Sequence, residues 1–153
     1  MLPFHGDYAA TLKSPAGRPV ATYSHADEQA SPGYYALNLP TQGISAELTA
    51  TERVGVHRYQ FSQAKDAQLL IDLGYAQNYD KAVMGFIRQV DAHTIVGYRF
   101  STGWAKLQPL YFVARFNQPF QAQLYQYGVA VKGTLLQTEK AAAVLNFADL
   151  RQK

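Results

Sequence analysis

The sequence contains no cysteine among its 153 residues, which excludes disulfides, thiolate metal sites and a cysteine nucleophile. Charge is also scarce. Charged residues make up 16% against 48% hydrophobic, the balance of a folded globular chain rather than a disordered one. The 14 Lys and Arg against 11 Asp and Glu leave a formal net charge of +3, and the basic residues are scattered along the chain. A nucleic-acid surface needs a basic patch or stripe, and none is written here. No run approaches the roughly 18 apolar residues that a spanning helix requires. The opening Met1-Leu2-Pro3-Phe4-His5-Gly6 lacks the basic and apolar regions of a signal peptide, so either the protein is intracellular or its true start lies upstream.

Strong catalytic signatures are missing as well. No Gly-rich phosphate loop precedes a helix, and neither G-x-S-x-G nor H-E-x-x-H occurs. His5, His25, His57 and His93 lie far apart, with no pair at metal-ligand spacing, and no N-x-S/T sequon is present.

What is there is alternation. Tyr35, Leu37 and Leu39, then Ile44, Ala46, Leu48 and Ala50, read as two half-buried strands around the turn Pro40-Thr41-Gln42-Gly43. Val54, Val56, Tyr59 and Phe61 continue the pattern with a change of parity, which predicts a bulge between Gly55 and Arg58. Leu69, Ile71 and Leu73 give the next strand, ending at Gly74. Phe86–Val90 and Thr94–Phe100 form a second hairpin around Asp91-Ala92-His93. Leu110, Phe112, Ala114 and Phe116 alternate with Tyr111, Val113 and Arg115 on the other face. Phe120, Ala122 and Leu124, then Val129–Val131, complete the clear strands. Residues 1–33 read as loop with one short strand at most, and Tyr79–Met84 is open between a helical turn and extended chain. Ala141–Phe147 has helical composition but sits where a hairpin return belongs, so it is assigned as strand. Short strands at regular spacing with no internal repeat predict one all-β domain over 1–153, an antiparallel β-sandwich.

Few residues stand out as a site. Ser24-His25-Ala26-Asp27-Glu28 concentrates donors and acceptors just before Pro32-Gly33-Tyr34-Tyr35, so His25, Asp27 and Glu28 are candidates for a sugar- or ion-contacting loop or for a domain interface. A solvated turn of this composition is the plainer reading. The single tryptophan, Trp104, can stack on a pyranose face or close the end of a sandwich core. His57-Arg58 reads as a cross-strand polar pair more readily than as ligand-facing.

Residue order adds a resemblance. Tyr23-Ser24-His25-Ala26-Asp27-Glu28-Gln29-Ala30-Ser31-Pro32-Gly33-Tyr34-Tyr35 resembles the F-S-H-x-x-E-x-A-x-P-G-Y-Y segment of glycoside hydrolase family 92. Glu47-Leu48-Thr49-Ala50-Thr51-Glu52-Arg53-Val54-Gly55-Val56-His57-Arg58-Tyr59-Gln60-Phe61 is similar to its E-L-T-A-T-x-R-x-G-x-H-R-Y-x-F strand pair. Gly97-Tyr98-Arg99-Phe100-Ser101-Thr102-Gly103-Trp104 and Tyr111-Phe112-Val113-Ala114-Arg115-Phe116-Asn117-Gln118-Pro119-Phe120 resemble two further blocks in the family's order. Tyr23 stands where Phe is usual, and Asp27 is an extra acid.

The resemblance implies an N-terminal β-supersandwich, truncated here, that precedes an (α/α)6 barrel in calcium-dependent, inverting exo-α-mannosidases that typically cut α-1,2 linkages. It also implies a periplasmic or extracellular enzyme. The family's acid and base lie on the barrel with most of its calcium site, so no catalytic residue and no metal ligand is carried onto this chain. The expected partners are that barrel and mannose-containing glycans. Strands left without neighbours would favour self-association. Two rival readings follow: a free-standing carbohydrate-binding module, which would display an exposed aromatic platform, and a structural interaction domain, which would display an apolar patch.

Overall fold

The computed structural model describes residues 1–147. Three antiparallel sheets hold the chain together, and none closes into a barrel. The largest contains β1 (Leu2–His5), β6 (Ala67–Asp72), β13 (Ala141–Asn146), β10 (Gln121–Gln126) and β11 (Val129–Val131), in that spatial order. A second sheet orders β12 (Leu135–Thr138), β7 (Lys81–Gln89), β8 (Thr94–Thr102) and β9 (Gln108–Arg115). A four-strand meander, β2 (Glu28–Ser31), β3 (Tyr34–Leu39), β4 (Ile44–Ala50) and β5 (Gly55–Phe61), makes the third.

The first two sheets are the sandwich. Leu69 and Ile71 of β6 and Ala141, Ala143 and Leu145 of β13 face Ile87 of β7 and Ile95 of β8, and all seven are buried. Tyr59 and Phe61 bring the meander against the same core. The alternate residues of the first sheet, Leu70, Ala142, Val144 and Tyr125, point the other way and meet Phe4 and Tyr8. Tyr8 opens a short helix, α1 (Tyr8–Leu12), capped by Asp7, whose carboxylate accepts from the Ala9 amide at 2.8 Å. Its ring meets Tyr125 edge to face, with centroids 4.8 Å apart.

This double burial explains the Ala-rich segment. β13 sits between β6 and β10, and small side chains let both layers close on it. Close approach also dictates Gly97, where a Cβ would stand 2.6 Å from the Phe112 ring.

Most of the expected strands stand where alternation places them, including both hairpins and the Pro40–Gly43 turn, in which the Gln42 amide donates to Leu39 at 3.0 Å. Two expectations are corrected, and the open reading of Tyr79–Met84 is resolved. Residues 1–33 contribute β1, α1, the 3-10 turn His25–Asp27 and β2, not one strand at most, because Phe4 and Tyr8 cover the back of the first sheet. No bulge interrupts β5, which pairs with β4 without a shift from Ile44↔Phe61 to Ala50↔Gly55. The change of parity arises because Val54 and Val56 are exposed apolar residues; the irregularity lies instead in β7, between Ala82 and Met84. Tyr79–Met84 is extended from Lys81 onward, after a turn with Asn78 at φ 57°.

Leu145 is fully buried at the meeting of the two sandwich layers, so Leu145→Ala should lower unfolding free energy by about 2–5 kcal/mol. Urea denaturation reads this directly. Exposed Val113 changed to Thr should move the midpoint by less than a quarter as much, and equal losses at the two positions would contradict the assigned core.

Candidate functional site

The His25–Glu28 segment folds back on itself. The Ser24 amide and hydroxyl both reach Asp27 Oδ2 at 2.8 Å, a capping box around the single turn. These bonds, from the Ser24 backbone first and its side chain second, hold the Asp27 carboxyl below its ordinary range. Tyr35 Oη donates to Glu28 Oε2 at 2.7 Å, while His25 Nδ1 lies 2.7 Å from Glu28 Oε1. Glu28 is accordingly lowered, chiefly by Tyr35 and then by His25, and Tyr35 is pushed up to about 12 by Glu28. His25 itself is fully exposed. Both acids are thus committed to local structure: Asp27 ends the turn and Glu28 pins β2 to β3. Asp27 also edges a shallow groove of about 450 Å³ with Asn38, Ser45 and Gln60.

Trp104 lies in the loop joining β8 to β9 and is 84% exposed, so it does not close the core. Its loop is held from beneath. Gly103 has φ 154°, and a Cβ there would stand 2.9 Å from Asp80 Cα. Asp80 Oδ2 accepts from Arg99 Nη2 at 2.7 Å, and Arg99 also donates to the carbonyls of Leu73 at 3.0 Å and Tyr75 at 3.1 Å. The Arg99 bond holds the Asp80 carboxyl below its usual range. His25 and Glu28 belong to the meander's entry and Trp104 to the second sheet, and among the described residues no hydrogen bond or ion pair joins them. The four candidates therefore do not form one site. His57-Arg58 behaves as a strand pair: Arg58 bonds Glu47, directly opposite in register, and Glu47 also accepts from Tyr34 at 2.7 Å.

Two other surfaces carry more. On the outward face of the second sheet, Phe86, Tyr98, Phe100 and Tyr111 form a continuous aromatic patch. Phe86 and Tyr98 stack at 5.2 Å with planes 14° apart, and Tyr98 and Phe100 at 4.8 Å and 26°. Tyr111 packs against both at 5.7 and 5.8 Å and is 67% exposed. The signal was present as apolar residues on both parities of β8, unexpected for a strand with one wet face. The second surface is a cleft of about 940 Å³ between β5 and β9, floored by Leu69, Ile71 and Leu73.

The match of the family model for the glycosyl hydrolase family 92 N-terminal domain extends over residues 1–153. This chain belongs to that family. A family GH92 α-mannosidase from Bacteroides thetaiotaomicron superposes with a TM-score of 0.84 at 25% identity, covering 95% of this chain and 21% of that one. The same enzyme in complex with mannoimidazole gives 0.83 at 26% identity, covering 95% and 20%. A further GH92 family glycosyl hydrolase gives 0.70 at 27% identity, covering 81% and 18%. No curated protein matches the chain. The family-92 chain thus spans about a fifth of the length of the solved enzymes it resembles. No helix among the described residues is long and apolar enough to cross a membrane.

The Arg99–Asp80 pair gives a pH test. A depressed folded-state pKa contributes stability that is full above the unfolded value near 3.8 and is lost as pH falls through the folded value. Asp80→Asn should therefore lower the melting temperature at pH near 7 and flatten its decline below about pH 4. Parallel melting curves for variant and parent across that range would remove the pair from the account.

Proposed function

We propose that this family-92 chain is the non-catalytic N-terminal part of an α-1,2-mannosidase-like hydrolase, packing on a helical barrel domain and helping to shape its mannose site. The observation that carries the reading is the aromatic patch Phe86–Tyr98–Phe100–Tyr111 on the outward face of the second sheet, with three half-buried rings and Tyr111 exposed. Single exposed apolar residues are ordinary, but a stacked cluster on an outward face marks a contact surface. In this reading the chain is one domain, and the acid that protonates the leaving oxygen and the base that activates water belong to the barrel. Calcium belongs there too. No three His, Asp or Glu side chains converge among the described residues, so these do not fit a calcium cradle and no step is assigned to the ion here. The setting is periplasmic or extracellular and the substrates are mannose-containing glycans.

The isolated chain should release nothing from an aryl α-mannoside, with or without calcium, whereas the chain joined to a family-92 barrel should turn it over. In the joined enzyme, Tyr98→Ser with Tyr111→Ser should cut kcat/KM by about tenfold or more, as loss of an interface anchor does. Turnover by the isolated chain above a matched blank would refute the reading.

The same patch supports a second reading, a carbohydrate-binding module, because flat aromatic surfaces also accept pyranose faces. Titration of the isolated chain with α-1,2-mannobiose separates the two: saturable binding lost in Tyr111→Ala would favour the module.

A further inference from the structure

The cleft between β5 and β9 has walls of an unusual kind. β5 is the last strand of the meander and β9 the last of the second sheet, so each turns a row of unpaired backbone N–H and C=O groups outward. Both rows border one cavity, together with Val56 and Tyr59 on one side and Leu110 and Phe112 on the other. Its floor is the sandwich core itself: Leu69, Ile71 and Leu73 belong to the main buried cluster. A small polar ligand would satisfy neither wall, because backbone groups in two rows demand a backbone in return. A β-strand supplies them on both edges and alternate side chains for the floor.

Two further observations say whose strand it is. Met1 lines the cleft, and Tyr59 Oη donates to its carbonyl at 3.4 Å, so polypeptide joined to Met1 would start inside it. The solved relatives are also about five times longer than the part this chain matches, which leaves ample polypeptide to supply strands.

We propose that the β5–β9 cleft is a strand-acceptor site, filled by extended segments of the family-92 polypeptide outside these 153 residues. The occupant carries apolar residues at every second position facing Leu69, Ile71 and Phe112 and runs for about seven or eight residues, the length of its two walls. It joins the meander to the second sheet, turning two open edges into one continuous layer over the core. This goes beyond the proposed packing on a barrel, which uses the outward face of the second sheet.

Hydrogen exchange followed by mass spectrometry tests the assignment. The purified chain, diluted until light scattering shows a monomer, is mixed with overlapping 20-residue peptides. These tile the parts of the Bacteroides thetaiotaomicron α-mannosidase that this chain does not match. At least one peptide with alternating apolar residues should slow exchange in β5 and β9 together by about tenfold, a shift of about 1.4 kcal/mol. The edges β2 and β12, at the far sides of the same two sheets, should not change. Leu110→Lys should abolish the effect, with Val113→Lys as the second variant should the first fail to fold; both positions are exposed. Peptides that slow neither edge, slow only one, or slow β2 and β12 equally would overturn the proposal. So would β5 and β9 being protected solely by a second copy of the chain as its concentration rises. Mannoside turnover and the Tyr98 and Tyr111 variants do not enter this readout, so failure here leaves the reading of function standing, and the reverse.

Discussion

Burial of one strand on both faces organises the whole molecule. β13 runs between β6 and β10, with Ala141, Ala143 and Leu145 directed to one apolar cluster and Ala142 and Val144 to another. A strand in that position cannot carry polar side chains on either parity. It also cannot carry many large ones, because two layers must approach it at once. Alanine meets both demands, at the cost of a composition that favours helix in isolation. Everything packed on β13 inherits the constraint. Gly85 lies over Ala141, where a Cβ would stand 3.2 Å from the alanine methyl, and Phe4 and Tyr8 close the opposite face from the N-terminal segment.

The edges around this core differ in length and setting. On the β10–β11 side the first sheet ends in a short hairpin, and short edges are a common way to discourage pairing. On the β5–β9 side two longer edges face each other across apolar residues that still belong to the core. The main cluster and the cleft therefore share side chains: Leu69, Ile71 and Leu73 are buried in the core and border the cavity.

Legibility in the sequence followed the same division. Alternation placed the hairpins and the Pro40–Gly43 turn because each has one wet face, where a period of two shows plainly. Ala141–Phe147 is assigned as strand from its place as a hairpin return, and the strand is present, but β13 pairs with β6 and β10 while the preceding β12 pairs with β7. The N-terminal segment was illegible because its contribution is tertiary: Phe4 and Tyr8 are single anchors spaced four apart, which no local period distinguishes from loop. The apparent bulge in β5 failed for a related reason. Val54 and Val56 are exposed, whereas their apolar character suggests burial, a rule that runs only one way. Of the site residues, His25, Asp27, Glu28 and Trp104 were visible as chemistry but not as geometry, and the aromatic patch needed the β7–β8–β9 register to bring Phe86, Tyr98 and Tyr111 into line.

Perturbed carboxylates are often the mark of catalysis, but here they point elsewhere. Each lowered acid has a partner that explains it within its own loop or strand pair: Ser24 for Asp27, Tyr35 and His25 for Glu28, Tyr34 and Arg58 for Glu47, Arg99 for Asp80, His93 for Asp91. Asp72 is raised by burial, and its Oδ1 is held by the amides of Gly74 and Tyr75 in the turn after β6. A catalytic acid needs the opposite treatment, an environment that raises its pKa toward the working pH and a position facing substrate. Hydrogen-bonded carboxylates held ionised are poor proton donors, whatever their distance from a sugar. The charged groups of this chain thus brace loops and edges, and the apolar surfaces left over are the ones with work remaining. In the proposed function, the domain acts on the reaction through where it places other parts of the polypeptide. Its outward aromatic face and its open strand edges are the features suited to that task.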